Sequence, residues 1–178
     1  MTYYTWIESP VGELMLTSDG SALTGLYIKG QKHFPQSLAT WNESTAIELF
    51  GQTQHQLTEY FAHQRQTFEL PLHPQGTPFQ ESVWQNLRQI PFGKTISYST
   101  LAQRVGKPTA FRAVGAANGR NPISIIVPCH RVVGSTGKLT GYAGGLDRKN
   151  WLLHHEQAKQ ASNNPPQQTM LPLFADSQ

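Results

Sequence analysis

The sequence predicts an α+β protein in three parts. A strand-and-helix domain spans residues 1–76, a helical domain with a helix-turn-helix spans 77–160, and a flexible tail spans 161–178. Three observations carry this division. Short runs of strand formers bounded by turn residues fill positions 3–29. A helix-start signature at Thr77-Pro78 then opens a series of short helical segments. Charge changes sign at the same place. Residues 1–76 carry 3 Lys/Arg against 7 Asp/Glu, while residues 77–160 carry 11 against 3.

In the first part, the turns Ser9-Pro10-Val11-Gly12 and Ser18-Asp19-Gly20 separate three expected strands, Tyr3–Ile7, Leu14–Thr17 and Ala22–Ile28. Ala46, Leu49, Phe50, Leu57, Tyr60 and Phe61 recur at helical spacing and predict an amphipathic helix over 44–63. His33, His55, His63 and His73 are scattered without metal-ligand spacing, so this half reads as a scaffold.

In the second part, Thr77 can cap a helix, Pro78 suits its first position and Gln80 completes a capping box. Ser97–Val105 reads as a short helix stopped by Gly106. Lys107-Pro108-Thr109 is a turn, and Ala110–Asn118 is a second helix, the spacing of a helix-turn-helix. That second helix surrounds Arg112 with Ala110, Ala113, Gly115, Ala116, Ala117 and Gly119. Small residues serve close helix packing as well as close approach of a ligand. A cation among them suits a phosphate-lined groove, and a basic segment beside an acidic one suits a polyanion.

Ile123–Val127 reads as a buried strand leading to Pro128-Cys129-His130-Arg131. Cys129 is the only cysteine, which excludes an internal disulfide and a cysteine-rich zinc site. A lone cysteine suits an inert core. Here His130 and Arg131 are expected to favour the thiolate, and Pro128 stiffens the backbone before it. No apolar run is long enough to span a bilayer and MTYYTWIESP has no signal-peptide pattern, so a cytoplasmic protein is expected.

PCHRV at 128–132 resembles the active-site signature of the O6-alkylguanine-DNA alkyltransferases, or methylated-DNA–protein-cysteine methyltransferases. GTPFQESVWQNLRQIPFGKTISYSTLA at 76–102, RAVGAANGRNPI at 112–123 and GYAGG at 141–145 resemble further family blocks in the same order. The likeness is dense from Gly76 to Glu156 and weak before it. It implies an RNase H-like N-terminal domain and a helix-turn-helix that enters the minor groove of duplex DNA. Ala113 and its small neighbours would fit a groove about 6 Å wide.

The resemblance also implies roles. Cys129 would accept the alkyl group of O6-alkylguanine, with O4-alkylthymine a less certain substrate, after the base is flipped from the stack. His130 would take the thiol proton through a water and Glu156 would orient His130. Arg112 would be the finger that fills the vacated space. Tyr98 would crowd the target phosphate and protonate the leaving base. Asn121 would be the hinge between the helical hairpin and the active-site strand. Tyr142 and the backbone of Ala143 would wall the pocket, and the Val132 carbonyl would accept from the guanine amine. Arg131 would pair internally. The thioether product has no means of removal, so one protein would act once and need no cofactor.

Two departures stand out. The chain lacks the N-terminal cysteines of zinc-bearing members, so no metal is expected. It also has Ser124 where some members carry a proline lid. The alternative is a non-catalytic lesion-binding helix-turn-helix protein, against which Cys129 stands. In the tail, Gln168-Thr169-Met170-Leu171-Pro172-Leu173-Phe174 resembles the peptide with which bacterial repair proteins dock on the DNA sliding clamp.

Overall fold

The computed structural model describes residues 1–157. The proposed tail motif Gln168–Phe174 lies outside the described residues. The described residues form two units, residues 1–75 with 122–126, and residues 76–121 with 127–157. This is an α+β architecture, as the sequence predicts. No helix among the described residues is long and apolar enough to cross a membrane.

The first unit is built on strands β1 (Tyr3–Ile7), β2 (Leu14–Ser18), β3 (Leu23–Ile28) and β4 (Asn42–Glu43). Their order is β3-β2-β1-β4, with the first three antiparallel and β4 parallel to β1. The register sets Thr5 opposite Leu16 and Ile7 opposite Leu14, and all four are buried. Helix α1 (Glu48–Phe61) buries Leu49, Phe50, Thr53, Leu57 and Tyr60, a stripe at three- and four-residue spacing.

Residues 122–126 correct the sequence expectation twice. They group with the first unit rather than with residues 77–160, and they are not a strand. Ile123 makes a single bridge to Leu26, after which the chain turns. The bonds Ile126 N–H to Ser124 O and Cys129 N–H to Val127 O each close a three-residue turn. Ile125 adopts φ +71° although it is β-branched and fully buried. Pro122 and Pro128 lack the N–H that a ladder needs. Burial makes the segment apolar, so its composition resembles that of a strand.

The second unit comprises α2 (Pro78–Leu87), β5 (Ile96–Ser97), α3 (Tyr98–Arg104), α4 (Phe111–Gly119), β6 (Val132–Val133) and α5 (Leu146–His155). The capping box forms as the sequence predicts. Gln80 N–H donates to the Thr77 hydroxyl, and Thr77 N–H donates to the Gln80 side chain. Ser97 caps α3, and Gly106 at φ +79° turns the chain toward α4. Helices α2, α3 and α4 pack together, and the buried Trp84 indole N–H donates to Ala117 O at 2.9 Å. Strands β5 and β6 pair in parallel, Ile96 beside Val132.

Candidate active site

Cys129 opens a 3-10 turn, Cys129–Arg131, and is 3% exposed. Two asparagines hold this turn. Asn121 Nδ2 donates to Val127 O at 2.7 Å and its side chain also hydrogen-bonds the Cys129 side chain. Asn118 Nδ2 donates to Cys129 O at 3.3 Å. Burial pushes the thiol above its ordinary value, and Asn121 and then the Lys149 charge only partly offset it. This corrects the expectation that His130 and Arg131 favour a resting thiolate. The neighbouring side chains are occupied elsewhere, and the thiol needs a base.

A residue able to serve as one, His130, is beside it in sequence. His130 is fully buried, and its Nε2 lies 2.7 Å from Glu156 Oε1. Glu156 also receives Arg131, through Nε to Oε2 and Nη2 to Oε1, both at 2.9 Å. Arg131 Nη1 donates to Ile90 O at 2.6 Å. The carboxylate thus meets the guanidinium in a two-pronged fork. Burial alone would raise the Glu156 carboxyl, but His130 and then Arg131 hold it well below the usual carboxylate range. Burial lowers the affinity of His130 for a proton despite the opposing pull of Glu156. The arrangement therefore contains an ionised Glu156 matched by Arg131, beside a neutral imidazole. The neutral ring donates Nε2–H to Glu156, a tautomer assigned from this network. Its basic atom is then Nδ1. Gly93, at φ +74°, lets the loop after α2 approach Glu156; a Cβ there would stand 3.0 Å from the Glu156 carbonyl.

These directions have a measurable consequence. His130 should remain neutral as pH falls through about 6.5, the ordinary histidine value, and should protonate only below it. Its neutral form therefore stabilises the fold above 6.5, and that stability is lost as pH falls further. Nitrogen-15 NMR of the ring should show Nε2–H and a depressed midpoint. A midpoint at or above 6.5 would refute the neutral assignment.

Tyr98 opens α3 and donates its hydroxyl to Thr140 O at 3.0 Å. Burial raises its pKa, so it keeps its proton. Lys149 in α5 is fully buried and donates to Thr140 O at 2.9 Å and Gly141 O at 3.1 Å. Its ammonium sits 5.8 Å from the Tyr98 ring centroid. Burial brings Lys149 down to about 8, against the opposing pull of Cys129. Val132 and Tyr142 are buried, and Ala143 is half-buried. Arg112 and Ala113 are exposed on the first turn of α4, whereas His130, Glu156 and Arg131 are buried. Arg112 makes no hydrogen bond or ion pair within the described residues.

Lys149 and Asn118 are polar residues of this site that the sequence reading missed. Both carried a signal. Lys149 shares a helical stripe with Leu152, Leu153 and Glu156, so its position is a core position occupied by a cation. Asn118 lies four residues after Val114 on the buried face of α4.

A buried cysteine lies next in the chain to a neutral histidine that is held by an ionised carboxylate, the arrangement that a nucleophile, base and orienter would need, in a unit with two short helices across a turn. Comparison with known proteins gives this class its family. Residues 2–74 match the ribonuclease-like domain of 6-O-methylguanine DNA methyltransferase, and residues 78–158 match its DNA binding domain. A methylated-DNA–protein-cysteine methyltransferase of Methanosarcina barkeri is 49% identical over 87% of this chain and 97% of its own. The constitutive methylated-DNA–protein-cysteine methyltransferase of Bacillus subtilis is 44% identical over 88% and 96%. The crystal structure of Mycobacterium tuberculosis OGT in complex with DNA superposes with TM-score 0.81 and 46% identity, covering 87% of this chain and 92% of that one. The chain belongs to the 6-O-methylguanine DNA methyltransferase family.

Proposed function

We propose that the protein repairs DNA directly, by moving an alkyl group from O6 of guanine to the sulfur of Cys129 in a single turnover. The observation that carries this reading is the buried sequence Cys129–His130 joined to Glu156 and Arg131. His130 Nδ1 takes the thiol proton through a water. The sulfur attacks the alkyl carbon, the S–C bond forms, and the bond from that carbon to O6 breaks. Tyr98 exchanges Thr140 O for the ring nitrogen of the base and donates its proton, so guanine leaves neutral. Lys149 stands close enough to Tyr98 to stabilise the phenolate that results. The proton on His130 returns to Tyr98 through solvent. The pocket is walled by Tyr142, the Ala143 backbone and the Val132 carbonyl, with Asn121 holding the turn. The thioether has no leaving path, so each molecule acts once. Mass spectrometry after incubation with an O6-methylguanine duplex should find one methyl group, on the Cys129 peptide. An unmodified Cys129 would favour a non-catalytic binder and refute the proposal.

The base must leave the stack first. Arg112 is exposed beside the small exposed residues Ala113 and Ala116, which supports entry of α4 into the minor groove. Arg112 then occupies the space of the flipped nucleotide. Arg112→Ala should lower the ratio of duplex to free-base reaction rates by about ten- to a hundredfold, a share of the few kcal/mol of unstacking. An unchanged ratio would assign Arg112 another role.

The residues Gln168–Phe174 support, by sequence alone, docking of the tail on the DNA sliding clamp. Gln168 would fill a polar subsite, while Leu171, Leu173 and Phe174 would fill an apolar one. Gln168→Ala/Leu171→Ala should abolish binding to the cognate clamp in fluorescence anisotropy and leave methyl transfer in solution unchanged. Undiminished clamp binding by this variant, or none by the wild type, would refute the docking.

A further inference from the structure

Phe111 is the first residue of α4 and leaves 50% of its surface exposed. The helix does not need it there. Its buried face is Val114, Ala117 and Asn118, and its start has no side-chain cap. Next in the chain is Arg112, also exposed, and the outward residues that follow, Ala113 and Ala116, are small. The bulk of this face is therefore confined to one phenyl and one guanidinium at the helix tip.

The surroundings define what this tip would meet. Arg104, Lys107, Arg112 and Arg120 are exposed on and around the helical hairpin. No Asp or Glu occurs between Glu81 and Asp147. Such a field attracts a polyanion. A helix that lies in a membrane surface needs a broad apolar face, and α4 offers only one exposed large apolar side chain. A duplex, by contrast, combines phosphates outside with flat apolar base faces inside, and minor-groove proteins insert phenylalanine between base steps.

We propose that Phe111 is a stacking wedge that works beside Arg112 and sets the efficiency of repair in duplex DNA. The proposal rests on the repair reading above and assigns a residue that reading does not use. Phe111 and Arg112 are adjacent at the exposed start of α4, and consecutive helical side chains diverge by about 100°, so the two can reach different parts of one opened site. Arg112 can fill the level vacated by the flipped nucleotide while Phe111 meets the neighbouring base. The phenyl replaces stacking that the neighbour lost, without hydrogen bonds and without preference for its identity.

Single-turnover transfer should be measured for wild type, Phe111→Ala, Phe111→Leu and Phe111→Trp, on an O6-methylguanine duplex and on the free base. The ratio of the two rates should fall about tenfold in Phe111→Ala, within the range for loss of one base–aromatic stack. Phe111→Trp should keep the wild-type ratio, and Phe111→Leu should lie between. The slope of duplex affinity against salt should be the same in all four, because no charge changes. Equal ratios in Phe111→Ala and wild type would overturn the wedge. So would equal losses on both substrates, which would place Phe111 in the packing of the unit. Loss of anionic-vesicle binding with an unchanged duplex ratio would assign the phenyl to a membrane and overturn it too. Failure of the wild type to methylate Cys129 would overturn the repair reading itself, whatever Phe111 does.

Discussion

Cys129→Ala should abolish alkyl transfer and leave duplex affinity close to that of the wild type. Without sulfur no S–C bond can form, and Cys129 is the chain's only cysteine, so no second thiol can substitute. Affinity resides elsewhere. Arg104, Lys107, Arg112 and Arg120 are exposed and the substitution touches none of them. Both proteins should lose affinity in parallel as salt rises, because phosphate contacts release counterions. The fold should tolerate the change at a cost of about 1 kcal/mol, since one buried atom is removed. Methyl transfer at normal yield by Cys129→Ala would end the assignment of the nucleophile. A large loss of affinity would place the buried turn itself among the DNA contacts.

Glu156→Gln should be the most damaging single change to stability. Its two carboxylate oxygens receive three donors, one from His130 and two from Arg131. An amide in its place removes the negative charge and one acceptor, leaving the buried Arg131 cation with neutral partners such as Ile90 O and the Phe92 ring. Breaking a buried pair in this way costs about 3–5 kcal/mol. In a unit of this size the melting midpoint should fall by roughly 10 °C or more. Transfer should fail as well, because the His130 ring loses its fixed orientation. The double variant Glu156→Gln/Arg131→Met separates the two effects. It removes the orphaned charge, so most of the midpoint should return, while transfer stays lost. A double variant that recovers transfer would show that Glu156 acts only through stability. A single variant that melts like the wild type would refute the ionised pair.

Where local physics decides structure, the sequence is legible. The turn residues and periodicity around Tyr3–Ile7, Leu14–Ser18 and Leu23–Ile28 identify the strands, and Thr77-Pro78 with Gln80 identifies the start of α2. Long-range packing hides the rest. Ile123–Val127 is apolar because it is buried, and apolar composition does not distinguish a strand from a buried turn. The thiol of Cys129 is governed by its burial, then by Asn121 and by Lys149, twenty positions later, rather than by the side chains of its neighbours His130 and Arg131. Arg131 is spoken for by Glu156, which lies at the far end of α5. Glu156 was readable only because its spacing from Cys129-His130 matches a known family; by composition it is one acid at a helix end.

The same Lys149 carries a cost. An ammonium taken out of water and given carbonyl partners is less stable than one in solution, and its fall from 10.5 to about 8 corresponds to on the order of 3 kcal/mol below pH 8. A methionine of similar length at that position would suit the stripe it shares with Leu152 and Leu153 and should make the protein harder to melt. The chain instead keeps a cation that holds the Thr140 and Gly141 carbonyls and lies beside Tyr98. A molecule that reacts once, as we propose for this one, has no need to endure many cycles. Robustness is therefore the quantity such a protein can most readily trade for a faster single event.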